Sequence, residues 1–304
     1  MKAPMKKLAG LAVSAALLLG ASAPPVEYVV QGDGVVASTL EGAPGRLRID
    51  SGAPSIPIVS TSLSVAAGLK HGPFGAGVNV GPVKFGGYTA VGDFVVDGMP
   101  FKRRVAWFDR PYVAGVDGVV GPGSLPADVV RFAIHAPRAG ERTISVPLVD
   151  AGGLFGNWGG LFGEIMVGGE PMKVRFDLNH RETLSNAGAG LRIANFHGGK
   201  LTGPIEQSKI VFGIERPNRR MKLARPLVIG PLSLDSIRVR VSDYGDAASI
   251  PDADAVSDPD EILVTAKKKR DKGRDRLSVG LDQLERCSSL VFDKPAKLIR
   301  LSCL

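Results

Sequence analysis

Two acidic residues, Asp50 and Asp177, stand where an alternating strand-like run gives way to a turn, and a pair of carboxylates in matched settings is equipped for general acid–base chemistry. The first lies in Arg46-Leu47-Arg48-Ile49-Asp50-Ser51-Gly52-Ala53, where the run meets an acid, a hydroxyl and a glycine. Ser51 offers a hydrogen bond to a facing loop, and Gly52 permits a tight backbone path beside the acid. The second lies in Met172-Lys173-Val174-Arg175-Phe176-Asp177-Leu178-Asn179. A small-residue stretch follows each acid, at 65–69 and at 187–191. Further on comes an apolar element ending in glycine, Gly118-Val119-Val120-Gly121 in one case and Leu277-Ser278-Val279-Gly280 in the other. Asp50 and Gly121 are 71 positions apart, Asp177 and Gly280 are 103 apart, and removing a 30-residue polar insertion at 246–275 brings the second spacing to 73. Matched spacings predict a duplicated chain with two lobes.

The Asp50-Ser51-Gly52-Ala53 loop and the two glycine-ended elements resemble those of aspartic proteases of the retropepsin and pepsin group. That resemblance implies a mainly β, two-lobed acid protease β-barrel fold with an internal pseudo-twofold duplication. It also implies an aspartic endopeptidase with Asp50 and Asp177 as its dyad, and with Ser51, Gly52, Ala53 and Asn179 supporting the catalytic loops. Like carboxylates about 3 Å apart do not both ionise cheaply, so one stays protonated while the other activates a shared water against a peptide carbonyl. In the same family a glycine-bearing hairpin closes over the substrate, and Tyr88, in the glycine-rich stretch 72–97, is the candidate flap tyrosine; a solvent-facing hairpin with turn glycines fits the same residues. The sequence departs from the family at Asp177-Leu178-Asn179, where Asp-Thr/Ser-Gly would stand: Leu178 brings no hydroxyl, while Asn179 tolerates left-handed backbone. The departure carries the alternative of a catalytically degenerate, protease-like protein of the cell envelope that binds peptides or acts as a scaffold, gripping extended chains by strand addition.

With 304 residues, 44% of them hydrophobic, the chain can bury a core in each lobe. Short Val-, Ile- and Leu-rich runs, with 39 glycines and 22 prolines to punctuate them, predict many short strands and few helices. Among the strands so predicted are 93–96, 104–108, 209–212, 227–229 and 237–241. The net charge is +8, of which Lys2, Lys6 and Lys7 carry three. No aromatic-interleaved basic stripe accompanies the charge, so nucleic acid is not the expected partner, and the resemblance implies a peptide or protein substrate. His71, His135, His180 and His197 show no metal-ligand spacing, and no phosphate-binding loop, Gly-x-Ser-x-Gly elbow or third glycine after Gly188-Ala189-Gly190 is present, so neither a metal nor a cofactor is expected.

Taken in order, residues 1–23 read as a secretory signal peptide: a basic start, an apolar run at 8–19, then Gly20-Ala21-Ser22-Ala23. The run is shorter than the ~20 residues of a spanning helix, so no transmembrane anchor is expected after its removal. An exported monomer, periplasmic or secreted, is the expectation. In such a compartment Cys287 and Cys303, the sole cysteines, are predicted to form a disulfide. The predicted lobes are 26–149 and 164–304, joined by a glycine-heavy linker at 150–163. The insertion at 246–275 runs from acidic to basic and is predicted to be an exposed loop. Within it, Glu261-Ile262-Leu263-Val264-Thr265-Ala266 resembles the energy-coupling box of outer-membrane TonB-dependent receptors; a sequestered β-segment accounts for the same residues.

Overall fold

Alternation of apolar and polar side chains, bounded by glycines, becomes strand almost throughout the chain. The computed structural model describes residues 25–151, 159–243, 245, 247–254 and 271–304. The predicted signal peptide, residues 152–158 of the predicted linker and the segment 261–266 lie outside those residues. In the first half come β1 (Glu27–Val30), β2 (Val35–Leu40), β3 (Ala43–Ile49), β4 (Ile58–Val59), helix α1 (Thr61–Ala66), β5 (Gly75–Val80), β6 (Val83–Val96), β7 (Met99–Trp107), β8 (Gly118–Val120), β9 (Val129–Ala133) and β10 (Arg142–Asp150). The second half contains β11 (Leu161–Val167), β12 (Glu170–Phe176), β13 (Leu184–Ser185), α2 (Ala187–His197), β14 (Gly199–Lys209), β15 (Glu215–Ile229), β16 (Leu232–Arg240), β17 (Arg276–Val279), α3 (Leu281–Leu284), β18 (Cys287–Asp293) and β19 (Leu298–Cys303). β6 shows the causal pattern: Phe94 and Val96 point into the core while Val91 and Val95 face outward, the period of two that a half-buried strand requires.

The fold is mainly β and two-lobed, and its strand pairing repeats. β3 pairs parallel with β8, β8 antiparallel with β4, and β4 parallel with β7. β12, β17, β13 and β16 follow the same scheme. Antiparallel meanders then extend each set outward, β7–β6–β5 in one lobe and β16–β15–β14 in the other. Registers correspond too: Ile49 lies opposite Val120, and Phe176 opposite Val279, so each acid emerges at the end of an equivalent parallel pair. The stretch after the second acid opens α2, whereas that after the first only overlaps the end of α1, residues 67–69 lying beyond the helix; the helices are capped by Asn186 accepting from Ala189 N and by Ser60 accepting from Leu63 N.

The predicted strand at 209–212 is a correction. β14 ends at Lys209, and the chain then turns, with Phe212 at φ 56° and Gly213 at φ 66°. A turn wins over the apolar run's strand propensity because the glycine admits the positive φ that reverses the chain.

Strands from the two halves also share one sheet. Its order is β1-β9-β18-β19-β10-β11-β12-β17-β13-β16-β15-β14, whereas the first lobe's own sheet runs β2-β3-β8-β4-β7-β6-β5. β18, held between β9 and β19, is buried at all seven positions. Of the charged insertion, the described residues 247–254 pack on the second lobe, with Ala247 and Ile250 buried and Asp252 ion-paired to Arg219 at 2.5 Å.

Cys287 and Cys303 form a disulfide across the β18–β19 pair. With a sequence separation of 16, the bridge removes enough unfolded-chain freedom to stabilise by about 3 kcal/mol. The double variant Cys287→Ala/Cys303→Ala is therefore expected to lose that amount in urea unfolding, with the wild type matching it once reduced; coincident curves for oxidised and reduced wild type would contradict this.

Candidate active site

The parallel pairs β3–β8 and β12–β17 fix two facing loops. Asp50 N donates to Val120 O at 3.0 Å and Asp177 N to Val279 O at 2.9 Å, so each acid is anchored to the glycine-ended strand beneath it. Each carboxylate then accepts from the backbone two residues on: Gly52 N donates to Asp50 Oδ1 at 2.8 Å, and Asn179 N to Asp177 Oδ1 at 3.0 Å. Gly121 and Gly280 pass directly under the loops. A Cβ at Gly121 would lie 2.6 Å from Ala53 O, and one at Gly280 2.8 Å from His180 O, so no other residue fits either place.

The loops also meet each other. A Cβ on Gly52 would lie 2.5 Å from Asp177 Cγ, so the second carboxylate rests on the backbone of the loop that carries the first. Ser51 Oγ accepts from Leu178 N at 3.0 Å, tying the two loops together. Leu178 has no hydroxyl to return that bond; its side chain packs on the main hydrophobic core. The Asn179 side-chain amide crosses in its place, favouring the ionised form of Asp50. Asp50, Ser51, Gly52, Ala53, Asp177 and Asn179 are thus brought together.

The carboxylates differ in setting. Asp50 is 5% exposed, whereas Asp177 is half-buried. Burial, and after it the Asp177 charge, push the Asp50 carboxyl up to about 6; the Gly52 N–H, Asn179 and the Arg175 guanidinium act in the opposite direction. Tyr112, half-buried in the β7–β8 connection, faces the same pair: burial raises its phenol, the Asp50 charge adds to this, and Arg175 opposes it. Tyr88 lies elsewhere. It sits on β6 opposite Trp107, 46% exposed and stacked on His71 with ring centroids 4.8 Å apart, and is not among the residues lining the cavity.

A cavity of about 510 Å³ adjoins Asp177 between the lobes. Its roof is made by the tips of two hairpins, one from each lobe. The β5–β6 tip contributes Val78 to Gly81, and Phe212 comes from the β14–β15 turn. Phe212 donates its N–H to Tyr112 O at 3.0 Å, and its ring stands edge-on to Phe85, Phe108 and Tyr112, each with centroids 5.0 Å away. At the other side of the seam a Cβ on Gly81 would lie 2.8 Å from Arg216 Nε, so the hairpin turn and the second lobe are in direct contact. Within the second lobe's wall, the guanidiniums of Arg175 and Arg276 flank the Phe162 ring at 5.1 Å and 4.6 Å from its centroid. Burial, with repulsion from Arg175 and Arg274, lowers Arg276 to about 10.

Tyr112, Phe212, Arg175 and Arg276 were not legible as site residues. Arg175 and Arg276 sit at alternating strand positions that read as solvent-facing, and Tyr112 stands in Asp109-Arg110-Pro111-Tyr112, which matches no motif.

No protein-family model matches the sequence, and no curated protein matches it. Among solved structures, the crystal structure of the aspartic proteinase from Irpex lacteus is similar, at 13% identity and a TM-score of 0.42, over 88% of this chain and 93% of that one. The likeness is a distant one of fold.

Proposed function

We propose that the protein is an aspartic endopeptidase in which Asp50 and Asp177 share one proton and one water. The observation that carries this reading is the seating of the Asp177 carboxylate against Gly52, inside the loop whose own carboxyl, Asp50, is held protonated up to about 6. The more exposed Asp177 is the ionised base. It takes a proton from the water as the water oxygen attacks the peptide carbonyl carbon, and Asp50 gives its proton to the carbonyl oxygen. Collapse of the resulting gem-diol breaks the C–N bond, with a proton passing to the leaving nitrogen, so no covalent intermediate forms. On this reading the lobes are 26–149 and 164–304, connected through 150–163, and the protein acts as an exported monomer.

Cleavage of an unstructured peptide pool across the acidic and neutral range tests the proposal. Deprotonation of Asp50 removes the general acid, so the rate is expected to fall as pH rises through about 6. A rate that instead rises through that region would contradict the assignment of Asp50 as acid. One observation favours a second reading: Leu178 has no hydroxyl to return the bond that Ser51 accepts from its N–H. Peptide binding without products at any pH would make the protein a degenerate, peptide-gripping relative of such enzymes.

A further inference from the structure

We propose, resting on the peptidase reading, that Arg175 and Arg276, laid against Phe162 beside Asp177, form a carboxylate subsite, so that the cleft selects peptides bearing an acidic side chain or a free terminal carboxylate next to the bond it holds. The two guanidiniums share one aromatic ring, at 5.1 Å and 4.6 Å from its centroid, and both residues line the cavity. Elsewhere in this lobe four arginines reach an acid, Arg192 with Asp275, Arg219 with Asp252, Arg238 with Glu182 and Arg240 with Asp243, and the buried Arg216 donates to Ser242 O. Among the described residues Arg175 and Arg276 have no such partner. Two adjacent cations half-removed from water repel each other, and burial with the neighbouring Arg175 and Arg274 charges lowers Arg276.

An incoming carboxylate relieves that repulsion. The planar guanidinium fork matches two carboxylate oxygens, and the Phe162 ring holds both forks in place without supplying an anion of its own. The chemistry is compatible with the reaction: near pH 5 a glutamate side chain is ionised, while Asp50, held up to about 6, keeps its proton.

The test uses the full chain carrying Asp50→Asn, so that bound peptide is not turned over, and short fluorescein-labelled peptides read by anisotropy near pH 5. Peptides with one internal Glu are compared with their Gln counterparts, each as a terminal amide and as a free acid. The Glu amide is expected to bind about tenfold more tightly than the Gln amide, with the preference lost in Arg276→Gln and in Arg175→Gln and weakened by high salt. If only the free acids gain, the anion read is the chain terminus, and the subsite stands. Equal binding of all four peptides, a preference that survives both arginine variants, or no binding of any peptide overturns the proposal. Cleavage by the chain with Asp50 intact separates the two claims: hydrolysis indifferent to Glu would leave the peptidase and remove the subsite, whereas Glu-selective binding with no hydrolysis would do the reverse.

Discussion

Asp50→Asn is expected to lower kcat/KM for peptide hydrolysis by about 10³-fold while making the fold more stable at neutral pH. The two effects have one cause. Asp50 is almost fully buried beside a second carboxylate, and its carboxyl is raised from 3.8 to about 6. A group whose folded value lies above its unfolded value contributes stability that is fully present below the unfolded value and is lost as pH rises through the folded one. For Asp50 that window runs from about 4 to about 6, and at pH 7 the buried charge costs the fold on the order of 1–3 kcal/mol. Asparagine keeps the shape and the hydrogen bond from Gly52 N without the charge. Unfolding midpoints for wild type and variant should therefore coincide near pH 4 and diverge by pH 7, the variant being the more stable. A variant less stable at both pH values, with hydrolysis intact, would make Asp50 a structural residue.

The second large effect concerns the roof. Phe212→Ala is expected to destabilise by about 3 kcal/mol, because its ring fills the space among Phe85, Phe108 and Tyr112 and nothing nearby replaces it. Phe212→Gly removes the same ring and yet should cost about 1 kcal/mol less, since φ 56° suits glycine and strains alanine. This reversal of the usual order is the diagnostic, because at a position of ordinary φ glycine is the more damaging of the two. In both variants amide exchange at the β5–β6 tip should accelerate while β18 stays protected, which separates release of the seam from loss of the core. If alanine proves the milder substitution, or if the tip exchanges no faster, the ring does not hold the roof.

Much of the site could be read from residues alone, for a physical reason. A carboxylate at the end of a strand, followed by a hydroxyl and a glycine, needs those residue types at those positions, and Gly121 and Gly280 are fixed by backbone passing within van der Waals reach. Their spacing survives as a pattern even where Leu178 and Asn179 depart from it. Residues that reach the cavity from distant elements left no such pattern. Tyr88 has the right type, but on β6 it lies seven residues past the hairpin turn at Gly81, and the approach to the cavity is made instead by Val78 to Gly81. Phe212 looks like part of a strand until the glycine after it is placed. Arg276 looks solvated until Phe162 and Arg175 come to its other side. Side chains dictated by their own loop are legible, and those recruited by packing are not.

The sheet built from both halves bears on how the chain reaches this structure. Val130 pairs with Phe292, and Ile144 with Leu301, partners far apart along the chain, while β1 joins the sheet through β9, which lies beside β18. Such pairings have a high contact order and are slow to form. Separated at the linker, the first half would present β9 and β10 as unpaired edges of the kind that recruit foreign strands. The repeats that organise the sequence therefore do not divide the hydrogen bonding between them: the chain is duplicated in pattern, yet strands of each half complete a sheet with strands of the other.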